Sequence, residues 1–194
     1  MKGERSHRPS RESFEAHYAS AADPWKFESS PYEQSRYECL LRALSRGHYA
    51  VVYEPGCSIG VLTAKLAAIA DAVIATDVAR TAISHARARC RNLPNVTLSC
   101  GDVTTFTPSA APDLIVFSEI GYYFDAIELM RTASRLSQAL RPGGEFMAAH
   151  WLGSSTDHML HGDEVHETLR ASLPLKWVKG ERYARFRIDC WVKP

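Results

Sequence analysis

Residues 49–62 read YAVVYEPGCSIGVL, an apolar run that ends in a turn with two glycines and leads into a second apolar segment. The pattern predicts a buried strand over 49–54, a tight turn that uses Gly56 and Gly60, and a helix over 61–69. In open α/β sheets, ligands bind beyond the carboxyl ends of the strands. The turn is therefore the first candidate for a binding site.

The rest of the chain continues this alternation of short apolar runs and helical patterns. Ser30 and Pro31 predict a helix start, with Glu33 closing a capping box and the helix running to about residue 46. Further strands are predicted at 72–76, 96–100, 113–118 and 145–149, with helices at 79–91, 125–140 and 164–173. Residues 175–191 leave no room for a crossover helix and predict an antiparallel hairpin. The whole pattern predicts an α/β fold with a doubly wound, mostly parallel seven-stranded sheet and an antiparallel C-terminal strand, a Rossmann-like arrangement.

The amino-acid composition indicates a soluble globular protein. The chain has 194 residues, of which 45% are hydrophobic and 23% charged, as expected for one soluble domain. A net charge of +1 gives no bulk attraction to nucleic acid or to an anionic membrane, so we expect neither as a partner. Five scattered cysteines without a Cys-x-x-Cys pair argue against a disulfide framework or a zinc site. Without an apolar run of signal-peptide or membrane-spanning length, we expect a cytoplasmic protein, as a monomer or a weak homodimer.

The single domain divides into four segments. Residues 1–22 are polar and charged and predict a flexible, solvated arm. Residues 23–47 supply a lid and a helix, and residues 48–150 form the cofactor-binding core. Residues 151–194 provide an acceptor-side segment and the C-terminal hairpin.

The residues of the first turn exclude two common ligands. A Walker loop requires Lys-Ser/Thr after its last glycine, but Val61 and Leu62 follow Gly60. A dinucleotide-binding loop would require glycines at positions 58 and 61, which are Ser and Val. Glu54 at the entrance would repel a diphosphate but would favour a cation. S-adenosylmethionine carries both an ammonium and a sulfonium group, and fits this turn better.

Two further acids follow the next strands. Asp77 lies 23 residues after Glu54, close to the spacing at which an acid meets the ribose hydroxyls. Asp102 follows Gly101 after the third strand and could accept from the adenine amino group, with Val78 and Val103 packed on the ring. An aspartate at a strand end can equally cap the next helix. Three acids in this order favour S-adenosylmethionine.

These segments resemble the class I S-adenosylmethionine-dependent methyltransferases in Glu54-x-Gly56-x-x-x-Gly60, Asp77, Gly101-Asp102 and Leu140-Arg-Pro-Gly-Gly144. Three further segments are similar to the nodulation protein S (NodS) family: Asp23-Pro24-Trp25, Ser30-Pro-Tyr-Glu33 with Arg36-Tyr37, and Ser118-Glu119-Ile-Gly-Tyr122-Tyr123. Members of that family N-methylate the free amine of a chitooligosaccharide. The resemblance implies cofactor contacts from Trp25, Tyr32, Arg36, Cys57 and Ser118, although Trp25 could equally patch the hydrophobic core.

Methyl transfer requires an aligned, neutral nucleophile, and a proton acceptor helps by about 10²–10⁴-fold. Glu119, after the fourth strand, is the candidate to bind or deprotonate a substrate amine. Tyr122 could face a cation or stack on a sugar, or simply pack in its loop. His150, at the end of the fifth strand, is a candidate general base or a structural residue. His161 and His166 are candidates to line the acceptor pocket.

We expect no metal, because the histidines of 158–166 include no i, i+4 pair and Asp163 more simply caps the helix that follows. The sequence thus predicts S-adenosylmethionine-dependent methylation of a small molecule, with the amine of an amino sugar or a chitooligosaccharide as the leading acceptor. Methylation of oxygen in another metabolite and a non-catalytic S-adenosylmethionine-binding protein remain as alternatives.

Overall fold

The computed structural model describes residues 8–194. Its strands are β1 (Tyr49–Pro55), β2 (Ala70–Asp77), β3 (Val96–Cys100), β4 (Leu114–Ser118), β5 (Glu145–Trp151), β6 (Lys176–Arg182) and β7 (Phe186–Val192). They form one sheet in the order β3-β2-β1-β4-β5-β7-β6. The first five strands are parallel, and β7 pairs antiparallel with both β5 and β6. The predicted fold class is confirmed.

The helices are α1 (Arg11–Ser20), α2 (Pro31–Ala43), α3 (Val61–Leu66), α4 (Arg80–Arg89), α5 (Ala126–Ala139) and α6 (Gly162–Ser172). Short 3-10 turns occupy Ala67–Ile69 and Gly121–Tyr123. Residues of α1 to α4 pack with one face of the sheet, and residues of α5 and α6 pack with the other. In the described part of the chain, no helix is long and apolar enough to cross a membrane.

Helix α2 ends three residues earlier than predicted. Ser30 caps it by accepting from the backbone of Glu33, but the Glu33 carboxylate pairs with Arg36 and does not complete the capping box. At the other end, the backbone and hydroxyl of Ser45 donate to the carboxylate of Glu145. These bonds hold the chain away from the helix axis and bring it to the start of β1.

Helix α6 begins with a cap that differs from the predicted one. His161 Nδ1 accepts from the backbone of Asp163, and the Glu164 carboxylate accepts from the His161 backbone at 2.6 Å. The prediction that Asp163 is the cap is wrong, because its carboxylate pairs with Arg182 and Arg187 of the hairpin.

The first helix corrects the prediction of a solvated arm over 1–22. Ser10 caps α1, and the Glu15 carboxylate accepts from the backbone of Thr81 at the start of α4. Tyr18 is buried, and its hydroxyl donates to Ser58 at 2.6 Å. This segment is ordered by contacts with distant parts of the chain rather than by its own weak apolar pattern. Residues 1–7 of the predicted arm lie outside the described part.

Candidate functional site

A cavity of about 480 Å³ lies at the carboxyl ends of the parallel strands. The strand order reverses between β1 and β4, the place where a doubly wound sheet opens its ligand crevice. Gly56, Asp77, Val78, Gly101, Asp102 and Val103 line it from the turns after β1, β2 and β3. Trp25 and Tyr32 line it from the N-terminal segment. A smaller cavity of about 30 Å³ shares Gly56 and includes Arg36, Glu54, Cys57 and Ser118.

The two glycines of the first turn have different roles. Gly56 has φ +74°, and a Cβ at this position would lie 2.3 Å from Ile120 Cγ2. Only glycine fits both this backbone conformation and this space. Gly60 also has positive φ, but it lines neither cavity, and a Cβ there would lie 3.1 Å from Ala86 Cβ in α4. Its position therefore serves helix packing.

Glu54 is a buried carboxyl group at the edge of the smaller cavity. The Thr63 hydroxyl donates to it at 2.6 Å. Burial raises the pKa of Glu54 to about 8, and the nearby Asp77 adds to the effect. A positive charge placed in the cavity would oppose that rise. Burial also raises the pKa of the neighbouring Cys57 thiol well above its usual value, so it is an unreactive small side chain.

Asp77 faces the larger cavity while accepting two backbone hydrogen bonds. The amides of Ser58 and Ala79 both donate to it at 2.9 Å. Burial raises the pKa of Asp77 to about 6. The first amides of α4 are satisfied by Glu15 of α1 instead. Asp77 is thus not the helix cap that was its alternative interpretation, and its remaining lone pairs are free to accept from hydroxyl groups.

Asp102 follows β3, the neighbour of β2, and also lines the larger cavity. Thr104 donates to it from its backbone and its hydroxyl, both at 2.8 Å, and Arg8 donates at 3.1 Å. Burial tends to raise the pKa of Asp102, but these donors outweigh it and the pKa lies below the usual value. Arg8 also pairs with Glu128 and stacks on Phe124. The sequence offered no signal for Arg8, since it stands in a charged segment without a motif.

Glu119, which follows β4, lines both cavities and its carboxylate has three partners. Its Oε1 accepts from the Trp151 backbone at 2.7 Å and pairs with Arg36 at 3.0 Å, while its Oε2 accepts from the Tyr122 hydroxyl at 2.9 Å. Arg36 is 1% exposed and also pairs with Glu33. Burial raises the pKa of Glu119, and the Arg36 guanidinium opposes that rise. Two carboxylates against one guanidinium leave this cluster one negative charge in excess.

His150 does not reach the cavity. It is 0% exposed, its Nε2 accepts from the Gly121 amide at 3.0 Å, and its Nδ1 lies 3.2 Å from His166 Nε2. The prediction that His150 is a general base on the rim is wrong because β5 runs on to Trp151 and turns the His150 side chain toward α6. The candidates His161 and His166 are also absent from the cavity lining.

The last residue of β5 and the segment after it supply lining residues to which the sequence analysis assigned no role. Trp151, Asp157 and His158 line the larger cavity. The His158 ring stacks on Tyr122 with centroids 3.7 Å apart, so Tyr122 is both buried and part of the wall. No motif marks these residues, because the loop brings them there. Among residues 8–194, no group of three or more His, Cys, Asp or Glu is placed to hold a metal ion.

Comparisons with known proteins agree on one family. The family model described as Nodulation protein S (NodS) matches residues 11–166. The nodulation protein S of Sinorhizobium fredii is 33% identical over 140 residues, 71% of this chain and 63% of that protein. The nodulation protein S of Bradyrhizobium diazoefficiens is 33% identical over 122 residues, 62% of this chain and 58% of that protein. The aligned region thus spans less than two thirds of the length of these relatives.

A solved structure extends the likeness to nearly the whole fold. The N-methyltransferase NodS from Bradyrhizobium japonicum WM9, crystallised in complex with S-adenosyl-L-homocysteine, superposes with a TM-score of 0.84 at 26% identity. The superposition covers 96% of this chain and 99% of that one.

Proposed function

Because this chain belongs to the nodulation protein S (NodS) family, we propose that it is an S-adenosylmethionine-dependent N-methyltransferase. Its acceptor is a small molecule with an amine, such as an amino sugar or a chitooligosaccharide. One observation carries the proposal: two cavities that share Gly56 and Glu119 collect acids from the ends of four neighbouring strands, which are Glu54, Asp77, Asp102 and Glu119.

The chemistry of these groups fits a cationic sulfur nucleoside. Gly56 lines both cavities, and Glu54 favours an ammonium group beside it. Asp77 would suit the ribose hydroxyls and Asp102 the adenine amino group, and the apolar Val78 and Val103 of the same lining would pack on the ring. The related NodS of Bradyrhizobium japonicum WM9 was crystallised with the product form of this cofactor.

The acceptor end fits an amine. When bound, S-adenosylmethionine supplies a methyl group on a positively charged sulfur. The excess negative charge of the Glu33–Arg36–Glu119 cluster attracts a protonated amine, and Asp157 adds to that field. Glu119 Oε2 accepts one hydrogen bond, from Tyr122, and retains a lone pair for the amine proton. Arg36 and the Trp151 backbone hold the other oxygen in place while Glu119 takes that proton.

Calorimetry and a transfer assay test the proposal. We expect the chain to bind S-adenosylhomocysteine and to ignore ATP and NADH. We expect labelled methyl groups to pass from S-adenosylmethionine to amino sugars or chitooligosaccharides with a free amine, and not to their N-acetylated forms. If the chain bound NADH or ATP and did not bind S-adenosylhomocysteine, S-adenosylmethionine would be refuted as the cofactor. Transfer to hydroxyl groups alone would refute the acceptor, and binding without any transfer would favour a non-catalytic protein.

The division into a lid, a cofactor core and an acceptor-side segment is part of this proposal, as is a cytoplasmic protein without nucleic-acid partners. A monomer or a weak homodimer also stays a prediction. Size-exclusion chromatography with light scattering, at several protein concentrations, measures the oligomeric state.

A further inference from the structure

A line of buried polar side chains runs from the acceptor end of the cavity to the C-terminal hairpin. The Gly121 amide lies 3.0 Å from His150 Nε2, and His150 Nδ1 lies 3.2 Å from His166 Nε2. His166 Nδ1 lies 2.7 Å from Asp189 Oδ2. Both rings are 0% exposed and Asp189 is 1% exposed. The line therefore crosses β5, α6 and β7 without contact with solvent.

The donors in this line have one consistent direction. A backbone amide can only donate, so His150 Nε2 must accept and carries no proton. A neutral ring then holds its proton on Nδ1 and donates it toward His166 Nε2. His166 in turn holds its proton on Nδ1 and donates to the carboxylate of Asp189. Every hydrogen-bonding atom of the two rings is satisfied by this arrangement and by no other.

The charges around the line support neutral rings and an ionised aspartate. Burial holds the pKa of His150 well below its ordinary value, and His166, Arg36 and His158 lower it further. Burial also lowers the pKa of His166 and Arg187 lowers it further, whereas Asp189 and Asp163 oppose this.

The carboxylate at the end of the line also accepts from β6 and from its own strand, β7. Trp177 Nε1 of β6 donates to Asp189 at 2.9 Å, and Arg187 Nε of β7 donates at 2.7 Å. Burial tends to raise the pKa of Asp189, but hydrogen bonds from His166 and Trp177 outweigh it and the pKa lies below the usual value.

Gly121 is the point where this line meets the site. A Cβ there would lie 2.5 Å from Val165 Cγ1 and 2.7 Å from His150 Nε2, so the turn is clamped against α6 and β5. The next residue, Tyr122, donates its hydroxyl to Glu119, and its carbonyl accepts from the Met159 amide at 2.8 Å. Moving Gly121 would therefore move both the Glu119 hydrogen bond and the segment that carries His158.

We propose that His150, His166 and Asp189 form a positioning relay that fixes the turn at Gly121 and thereby holds Tyr122 and Glu119 in place for the acceptor. These three are positioning residues, since none of them lines the cavity. The effect on turnover rests on the methyltransferase function proposed above, whereas the protonation pattern of the rings is independent of it.

Nuclear magnetic resonance of the full chain, labelled with ¹⁵N in histidine, tests the protonation pattern. We expect His150 and His166 to be neutral at pH 7 with the proton on Nδ1 and none on Nε2. In Asp189→Asn, an amide NH₂ replaces one carboxylate oxygen and faces a donor, either Trp177 at the Oδ1 position or His166 and Arg187 at the Oδ2 position, so the hydrogen bonds that fix His166 are expected to weaken. Two wild-type rings protonated on Nε2, or a charged ring at pH 7, would overturn the relay.

Two matched variants test the effect on the site. His150→Gln places an amide oxygen where Nε2 accepts, while His150→Leu leaves the Gly121 amide buried without an acceptor. We expect His150→Leu to lose about 10²-fold in kcat, the scale of a misplaced catalytic group, with S-adenosylhomocysteine affinity close to wild type. His150→Gln should recover most of that loss. The control is His48→Leu, because His48 is exposed and lies far from the relay.

The outcomes separate the two proposals. Equal kcat in His150→Gln and His150→Leu, with both folded, would overturn the positioning role. If His150→Leu does not fold, Asp189→Asn and His150→Gln are compared with wild type in kcat and in hydrogen exchange of the Gly121 amide. Unchanged exchange and kcat in Asp189→Asn would then overturn the relay. Absence of methyl transfer by the wild-type protein would refute the proposed function. The relay would then be tested by the protonation states of His150 and His166 alone.

Discussion

The substitution Glu119→Gln removes the negative charge of one side chain while keeping its hydrogen-bond partners. The glutamine oxygen can take the place of Oε1 and accept from the Trp151 amide and from Arg36. Its amide nitrogen can donate to the Tyr122 hydroxyl, which is able to accept as well as donate. All three contacts are retained, so we expect the free energy of unfolding to change by no more than about 1 kcal/mol.

The same substitution should remove most of the turnover. A glutamine takes no proton from the acceptor amine, and loss of a positioned base costs about 10²–10⁴-fold in rate. That loss corresponds to about 3–5 kcal/mol of transition-state stabilisation. Glu119 lines both cavities, but the substitution leaves Glu54 and Asp77 in place. Affinity for S-adenosylhomocysteine should therefore stay within a few-fold of wild type.

Glu33→Gln is the matched control, because it removes one negative charge from the same Arg36 cluster without touching the proposed base. Initial rates with an amine acceptor give kcat and KM for both variants, and calorimetry gives the cofactor affinity. We expect Glu33→Gln to raise KM with a smaller change in kcat, and Glu119→Gln to lower kcat. Turnover by Glu119→Gln within a few-fold of wild type would remove Glu119 from the proton transfer.

Three shorter predictions concern the cofactor side. Gly56→Ala should lower the melting temperature and weaken S-adenosylhomocysteine binding more than the control Gly143→Ala does. Both glycines have positive φ, but of these two positions only a Cβ at 56 would meet a neighbouring side chain. Equal effects of the two substitutions in thermal scans and calorimetry would contradict this. Because the pKa of Glu54 is raised to about 8, the folded chain holds this proton more tightly than the unfolded chain, and stability should fall as pH rises from about 4.5 to 8. Urea unfolding across that range should show the slope in wild type and a flatter curve in Glu54→Gln. Arg36→Met leaves buried carboxylates without a partner and should cost about 3–5 kcal/mol in chemical denaturation, with part of the loss recovered when Glu33→Gln is added.

The central strands and their turns could be predicted because the information is local. Strands β1 and β4 are buried on both faces and therefore appear in the sequence as continuous apolar runs. The acids that follow β2 and β3 are next to the strands that position them. Parallel strands bring their carboxyl ends to one edge, so Asp77 and Asp102 could be assigned to one cavity without knowledge of any long-range contact.

Features that depend on long-range contacts could not be predicted. Helix α1 has few apolar residues, and Tyr18 and Glu15 are ordered by Ser58 and by the start of α4. For His150, a difference of one or two residues in the length of β5 decides whether the side chain faces the cavity or is buried. With β5 ending at 149, His150 would stand on the rim, but the strand continues through Trp151, and it is Trp151 that lines the cavity.

The net charge of the chain does not indicate the charge at the site, because acidic side chains are concentrated there. The whole chain carries +1, yet five acids and two arginines of the described part line the larger cavity. None of these acids stands in an acidic run of the sequence. The fold brings them to one cavity at the edge of the sheet, where their negative charges add. Burial is the main cause of the raised pKa values of Glu54 and Asp77, a neighbouring acid adds to each, and positive charge next to either group would lower them. A diphosphate would add to the repulsion, whereas a sulfonium nucleoside and the proposed amine acceptor, each positively charged, would both relieve it.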